Sequence, residues 1–134
     1  MKIIRLFRTA LVVLLVTTAM GSAAEQEGED LSTLGLEALR TRSEKTRKIL
    51  VRKANKGELE AEGIAQWSTW GKEASTFPWH YDRTETCYIL EGRVTVTAGD
   101  QKVSFGPGDI VVFPAGLDCV WHIETAIRKH YRFK

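Results

Sequence analysis

Along residues 49–134, polar and apolar positions alternate in short runs, with glycine or proline at most of the breaks. Arg93-Val94-Thr95-Val96-Thr97-Ala98 and Gln101-Lys102-Val103-Ser104-Phe105 carry the period of two expected of half-buried strands. Gly99-Asp100 between them suits a hairpin turn. Ile110-Val111-Val112-Phe113 is continuously apolar and lies between two turns, Gly106-Pro107-Gly108-Asp109 and Pro114-Ala115-Gly116. Glu85-Thr86-Cys87-Tyr88-Ile89-Leu90 reads as another strand running into Gly92, and Ile49-Leu50-Val51 as the first of the set. Residues 64–71 alternate Trp67 and Thr69 against Ser68 and Trp70, and residues 118–123 and 126–133 complete the series. Strands at this spacing, with almost no helix among them, imply an all-β domain: an antiparallel barrel or jelly roll. Trp67 and Trp70 are expected in its core or at a subunit interface.

Upstream the pattern changes. Residues 31–56 favour helix, with Ser32 or Thr33 as a cap and Leu36, Leu39, Ile49 and Leu50 as the main apolar members. Thr41-Arg42-Ser43-Glu44-Lys45-Thr46-Arg47-Lys48 then carries no apolar side chain, which is the mark of a solvated face. Residues 25–47 are therefore expected to be a linker or loosely attached helix, ahead of a barrel domain at 48–134. Residues 1–24 differ again: Lys2, Arg5 and Arg8 precede an apolar run centred on Ala10-Leu11-Val12-Val13-Leu14-Leu15-Val16, and Gly21-Ser22-Ala23-Ala24 follows. That order predicts a secretory signal peptide cleaved after Ala24, and hence an exported protein. The apolar run falls short of the ~18 residues of a membrane-spanning helix. The alternatives are an uncleaved anchor, the chain's one route to a membrane, or an organelle transit peptide, which the lack of acids would suit.

Charge changes the picture once the leader is set aside. The whole chain has 19 Lys and Arg against 17 Asp and Glu, but the leader holds three of the bases and no acid. The remainder has 16 basic and 17 acidic residues, without the clustered basic face that nucleic-acid binding requires. At 134 residues the chain is sized for one domain.

The chemistry-bearing residues gather in Phe77-Pro78-Trp79-His80-Tyr81-Asp82-Arg83-Thr84-Glu85. Four residues separate His80 from Glu85, and six separate Glu85 from Gly92. This spacing resembles the first motif of the cupins, two histidines one residue apart, then glutamate and glycine, with Pro78 in the first histidine slot. Gly108, Pro114 and Gly116 match the second cupin motif, in which Cys119 takes the place of the metal-binding histidine and Ile123 that of the asparagine. Together with the ending Arg128-Lys129-His130-Tyr131-Arg132-Phe133, these stretches are similar to the small single-domain "cupin 3" family, related to the cupin domain of (S)-ureidoglycine aminohydrolase. The resemblance covers residues 48–134. It implies a cupin-type barrel, a double-stranded β-helix.

The resemblance also places His80, Glu85 and Cys119 together at the barrel mouth. As imidazole, carboxylate and thiolate they would offer a site for one divalent ion, zinc, iron or manganese. The alternative is no metal, with His80 and Glu85 as a hydrogen-bonded catalytic pair able to exchange protons with a ligand. Strand alternation puts Cys87 and Ile89 on the face of Glu85, and Trp121 on the face of Cys119 with His122 opposite. Trp79, Tyr81 and Trp121 are candidates to line a ligand pocket, although aromatic packing explains them as well. His122 and His130 are expected to be structural, and Cys87 and Cys119 to remain free thiols. Two functions follow. One is an enzyme acting on a small polar, nitrogenous metabolite, as the resemblance to the ureidoglycine aminohydrolase group implies. The other is a non-catalytic cupin with a degenerate metal site, binding a small ligand or a protein. A homodimer is expected from an open barrel edge and the two tryptophans.

Overall fold

The computed structural model describes residues 29–134, so the leader at 1–24 lies outside the described residues. Seven strands follow in chain order: β1 (Leu50–Lys53), β2 (Ser68–Lys72), β3 (Ser75–His80), β4 (Glu85–Ala98), β5 (Gln101–Phe105), β6 (Asp109–Phe113) and β7 (Asp118–Phe133). All pairings are antiparallel, in the order β1-β6-β4-β7-β2, with β3 also on β7 and β5 also on β4. The result is the expected all-β cupin-type barrel. Where the sequence suggests two pairs of shorter strands, the chain instead runs through as β4 and β7, of 14 and 16 residues. Each bends at irregularities around residues 89–94 of β4 rather than breaking.

Gly92 lies at that bend with φ +95°. A Cβ there would stand 2.4 Å from the Ala126 carbonyl oxygen and 2.8 Å from both Ile127 Cα and the Thr125 carbonyl oxygen. The motif glycine is thus a packing requirement of the bulge, which lets β4 and β7 curl around one interior.

That interior holds Ile49, Tyr81, Cys87, Ile89, Val94, Val96, Phe105, Val111, Phe113, Cys119, Trp121, Ile123 and Ile127, as alternation predicts. A second apolar cluster lies outside the barrel wall. Ile110 and Val112, on the outer face of β6, pack under Leu36, Leu39 and Ile64. Burial on both faces is the reason the β6 sequence is apolar without alternation.

The cover for that outer face is the helix α1 (Leu36–Thr46). It starts at Gly35 as N-cap rather than at Ser32 or Thr33, and it ends on Arg47, whose φ of 56° turns the chain. Ser43 Oγ donates to the Lys48 carbonyl at 2.7 Å and holds that turn. Leu36 and Leu39 are fully buried, so the helix is docked rather than loosely attached. Each such leucine stabilises the packed state by about 1.5–3 kcal/mol.

A polar staple fixes the same region. Arg52 on β1 forms a fork with Glu58, at 2.9 and 2.5 Å, in the short helix α2 (Glu58–Ala61), and donates to the Leu34 carbonyl at 2.9 Å. Arg52 and Glu58 side chains are only 4% and 9% exposed, so neither can fall back on water. Arg52→Ala should therefore cost about 3 kcal/mol, because it removes the charge partner of a largely buried carboxylate, which keeps only the Asn55 N–H, and the donor to the Leu34 carbonyl. An unfolding free energy from urea titration within about 0.5 kcal/mol of the parent would refute this role.

Candidate functional site

Alternation along β7 decides what reaches the barrel interior. Ile127, Lys129 and Tyr131 share a face opposite Arg128, His130 and Arg132. Lys129 is therefore forced inward, where it is only 5% exposed. Its Nζ donates to Glu85 Oε1 at 2.5 Å, and Cys87 Sγ lies 3.5 Å away. Cys87 in turn donates its thiol proton to the same oxygen at 2.7 Å. Three rings surround the ammonium, with centroids 5.1 Å (Trp70), 5.0 Å (Trp121) and 5.7 Å (Tyr131) from Nζ. At those distances each ring face attracts the cation.

A cavity of about 280 Å³ opens above this pair. Its walls are almost wholly aromatic, with Phe77, Trp79, Tyr81, Trp121 and Tyr131 among them, and Glu85 and Lys129 supply its charge. Tyr81 stacks on Phe113 with centroids 4.7 Å apart, and Phe77 stacks on Trp121 at 6.1 Å. Trp79 forms the rim: it meets Tyr81 edge-on, yet 51% of it remains exposed.

The electrostatics follow from burial. Cys87 is pushed well above its ordinary 9.0, first by burial and then by the Glu85 charge, so it stays a thiol. Burial pushes Cys119 up to about 11, against a lowering by the Trp121 indole. Tyr81 is raised far above its ordinary 10.0 by burial, then by Glu85. Burial pulls the Lys129 ammonium below its ordinary 10.5, but its neighbours Cys87 and Glu85 more than reverse that. Because Cys87 is neutral, Glu85 is the partner that holds the proton there.

These directions set the alkaline behaviour. The folded chain keeps protons on Cys87, Cys119, Tyr81 and Lys129 at pH values where the unfolded chain releases them. Their contribution is whole below the ordinary cysteine value of 9.0 and is lost as pH rises, through about 11 for Cys119. The thermal midpoint should fall steadily between roughly pH 9 and 11, and Cys119→Ala should flatten the first part of that fall. A midpoint that stays level from pH 8 to 11 would contradict the assignment.

Of the residues singled out in the sequence, Glu85, Trp79, Tyr81 and Trp121 do converge on the cavity. His80 does not. Phe77 and Trp79 face inward on β3, so Pro78 and His80 between and after them face out. His80 is 52% exposed and binds Asp118 Oδ1 at 2.7 Å, with Asp82 Oδ1 at 3.5 Å from its other nitrogen. The pairing of His80 with Glu85, as catalytic couple or as metal ligands, is thus not formed. Cys119 points inward, but its thiol lies against the Trp79 carbonyl at 3.6 Å. His122 bonds Thr76 and His130 bonds the Trp67 carbonyl, both away from the cavity.

The donor set does not fit a metal ion. Glu85 already holds an ammonium, both cysteines are thiols, and the imidazole lies outside. Among the described residues, no group of three His, Cys, Asp or Glu side chains could hold one. The residue that sequence reasoning missed is Lys129. Its signal was its parity, a lysine in phase with Ile127 and Tyr131, but its partner lies 44 positions away. Trp70, Phe77, Tyr131 and Phe133 were likewise not singled out as pocket walls.

Comparison with known proteins bears on the fold and the family. A DUF861-family protein of Thermotoga maritima superposes with a TM-score of 0.63 at 42% identity, over 65% of this chain and all of that one. The EutQ proteins of Salmonella typhimurium and Clostridium difficile share 19% and 18% identity over 70% and 67% of this chain, and 75% and 71% of their own lengths, each with a TM-score of 0.46. No curated protein matches the sequence. The model of the EutQ-like cupin domain matches residues 59–131, from α2 to the aromatic end of β7, and the chain belongs to that family.

Proposed function

We propose that this protein is a metal-independent, small-ligand-binding cupin whose ligand enters the aromatic cavity and rests against the Glu85–Lys129 pair. The observation that carries the reading is that pair. An ammonium held 2.5 Å from Glu85, inside the barrel and among three rings, supplies the positive charge that a cupin metal would supply. The cavity has the form of a small-molecule site, concave and apolar with a few polar groups. The rival reading is hydrolysis of a small nitrogenous metabolite, as in the ureidoglycine aminohydrolases. It would need Glu85 free to move a proton, and the short bond to Lys129 opposes that.

Removal of metal tests the proposal. Untagged protein should hold far less than one equivalent of any transition metal, and a chelator should leave its thermal midpoint unchanged. One tightly held equivalent, with a midpoint that drops by several degrees on chelation, would overturn the reading.

A further inference from the structure

The two ends of the sheet are finished differently. At one end β1 pairs only with β6, and Gln101 of β5 reaches across to the residue before it. The Gln101 side chain donates to the Ile49 carbonyl at 2.8 Å and accepts from the Ile49 N–H at 3.0 Å. At the other end β2 and β3 follow one another along β7, and among the described residues neither has a strand on its outer side. Such an unpaired row of N–H and C=O groups is a template for another strand. We infer that this edge, residues 68–77, pairs antiparallel with the same edge of a second copy of the chain. A two-fold axis there sets Lys72 of each copy opposite Glu73 of the other.

Strand parity permits this arrangement. β2 turns its even-numbered residues inward, with Trp70 opposite Lys129 and Lys72 opposite Ile127. β3 turns its odd-numbered residues inward, with Ser75 opposite Ile123 and Phe77 opposite Trp121. The change of parity falls between Lys72 and Ser75, where three steps on the edge span four on β7. Residues directly opposite in an antiparallel pair share a face. β2 of one copy therefore matches β3 of the other when even numbers meet odd ones, so that inward faces continue as inward faces.

Charge fixes the register. Lys72 and Glu73 are the only acidic or basic residues in 68–79, and both are exposed. Lys72 lies over the Phe77 ring at 5.3 Å, and neither residue has an ion-pair partner among the described residues. An axis between the two positions makes two ion pairs, one from each copy. An axis through Lys72 would set the two lysines against each other, and one through Trp70 would leave both charges unanswered. Opposite charges directly across an antiparallel pair stabilise it, and like charges destabilise it. The same register brings Thr69 against Thr76 and ends β2 at Phe77, one residue short of Pro78, which has no N–H to offer.

Apolar exposure marks the same edge. The exposed large apolar side chains among the described residues are Trp79 on β3 and Val120, the β7 partner of Pro78. They flank the edge on its two faces, where a second copy laid along residues 68–77 would end beside both.

Sedimentation equilibrium of the full untagged chain tests the inference. The parent should be dimeric at about 100 µM. Lys72→Glu or Glu73→Lys alone puts like charges at both crossings and should weaken the dimer at least about tenfold. The double variant, Lys72→Glu with Glu73→Lys, restores two opposite pairs and should return to within about threefold of the parent. Both positions are exposed, so the variants should keep the parent's thermal midpoint. Amide hydrogen exchange along residues 68–77 should be slower in the parent dimer than in either single variant. A parent that stays monomeric at about 100 µM overturns the inference. Slow exchange along its edge would then assign that edge to another segment of the same chain, and fast exchange would leave it bare. A dimer indifferent to both single variants would place the contact on another face. One that the double variant fails to restore would break the register, and either result also overturns the inference.

Discussion

Lys129→Met should destabilise the protein by about 3–5 kcal/mol, because the change strands the Glu85 carboxylate in an apolar barrel. Methionine keeps the length and flexibility of the side chain and fills the space among Trp70, Trp121 and Tyr131, so the loss is mainly of charge. Glu85 at 4% exposure would keep little contact with water and would have lost its only ion-pair partner among the described residues. In a domain of this size the thermal midpoint should drop by roughly 10–25 °C. The double variant Glu85→Gln with Lys129→Met should recover most of the loss, since two neutral partners leave no unpaired charge. A single variant within about 1 kcal/mol of the parent, or a double variant no better than the single, would show that the pair does not anchor the site.

The second large effect is expected at Gly92→Ala. The backbone φ of +95° disfavours any side chain, and the new Cβ would collide with backbone atoms of Thr125, Ala126 and Ile127 that no rotamer change can move. Strain and overpacking together should cost about 4 kcal/mol or more, enough to lower soluble yield as well as the urea midpoint. Gly116→Ala is the control. It has a φ of +83° but open space within 4 Å, so only the conformational term of about 1 kcal/mol applies. Equal losses at the two positions would mean that the bulge can relax and that its glycine is not sterically required.

The barrel was legible because alternation, turns and two registered motifs all pointed to it, and β4 and β7 differ from expectation only in being continuous. α1 was read as loose because its charged half carries no apolar side chain. Two leucines suffice to dock it, since β6 presents an apolar outer face that the sequence alone could not assign to a partner. The site was legible in part. Glu85 and the three aromatic candidates follow from strand parity and motif spacing. His80 was placed by its motif slot, but parity places it outside: with Phe77 and Trp79 turned in, the residue after Trp79 must turn out. Lys129 was hidden for the opposite reason. A lysine among Arg128, His130 and Arg132 reads as one more surface charge until its strand's inward face is known, and the carboxylate that makes its burial tolerable is distant in sequence.

β6 is a shared wall. Ile110 and Val112 belong to the cluster beneath α1, while Val111 and Phe113 belong to the interior, where Phe113 stacks on Tyr81 and leans on Trp121. The molecule is therefore not a barrel to which an arm has been added. Stripping residues 29–48 would turn an interior surface into an exterior one, a sticky face of Ile110, Val112, Leu50 and Tyr88 on the far side of the wall that supports the cavity. The arm and the cavity share one cooperative fate, and a perturbation that loosens the helix has a direct mechanical route, one strand thick, to the rings that would hold a ligand.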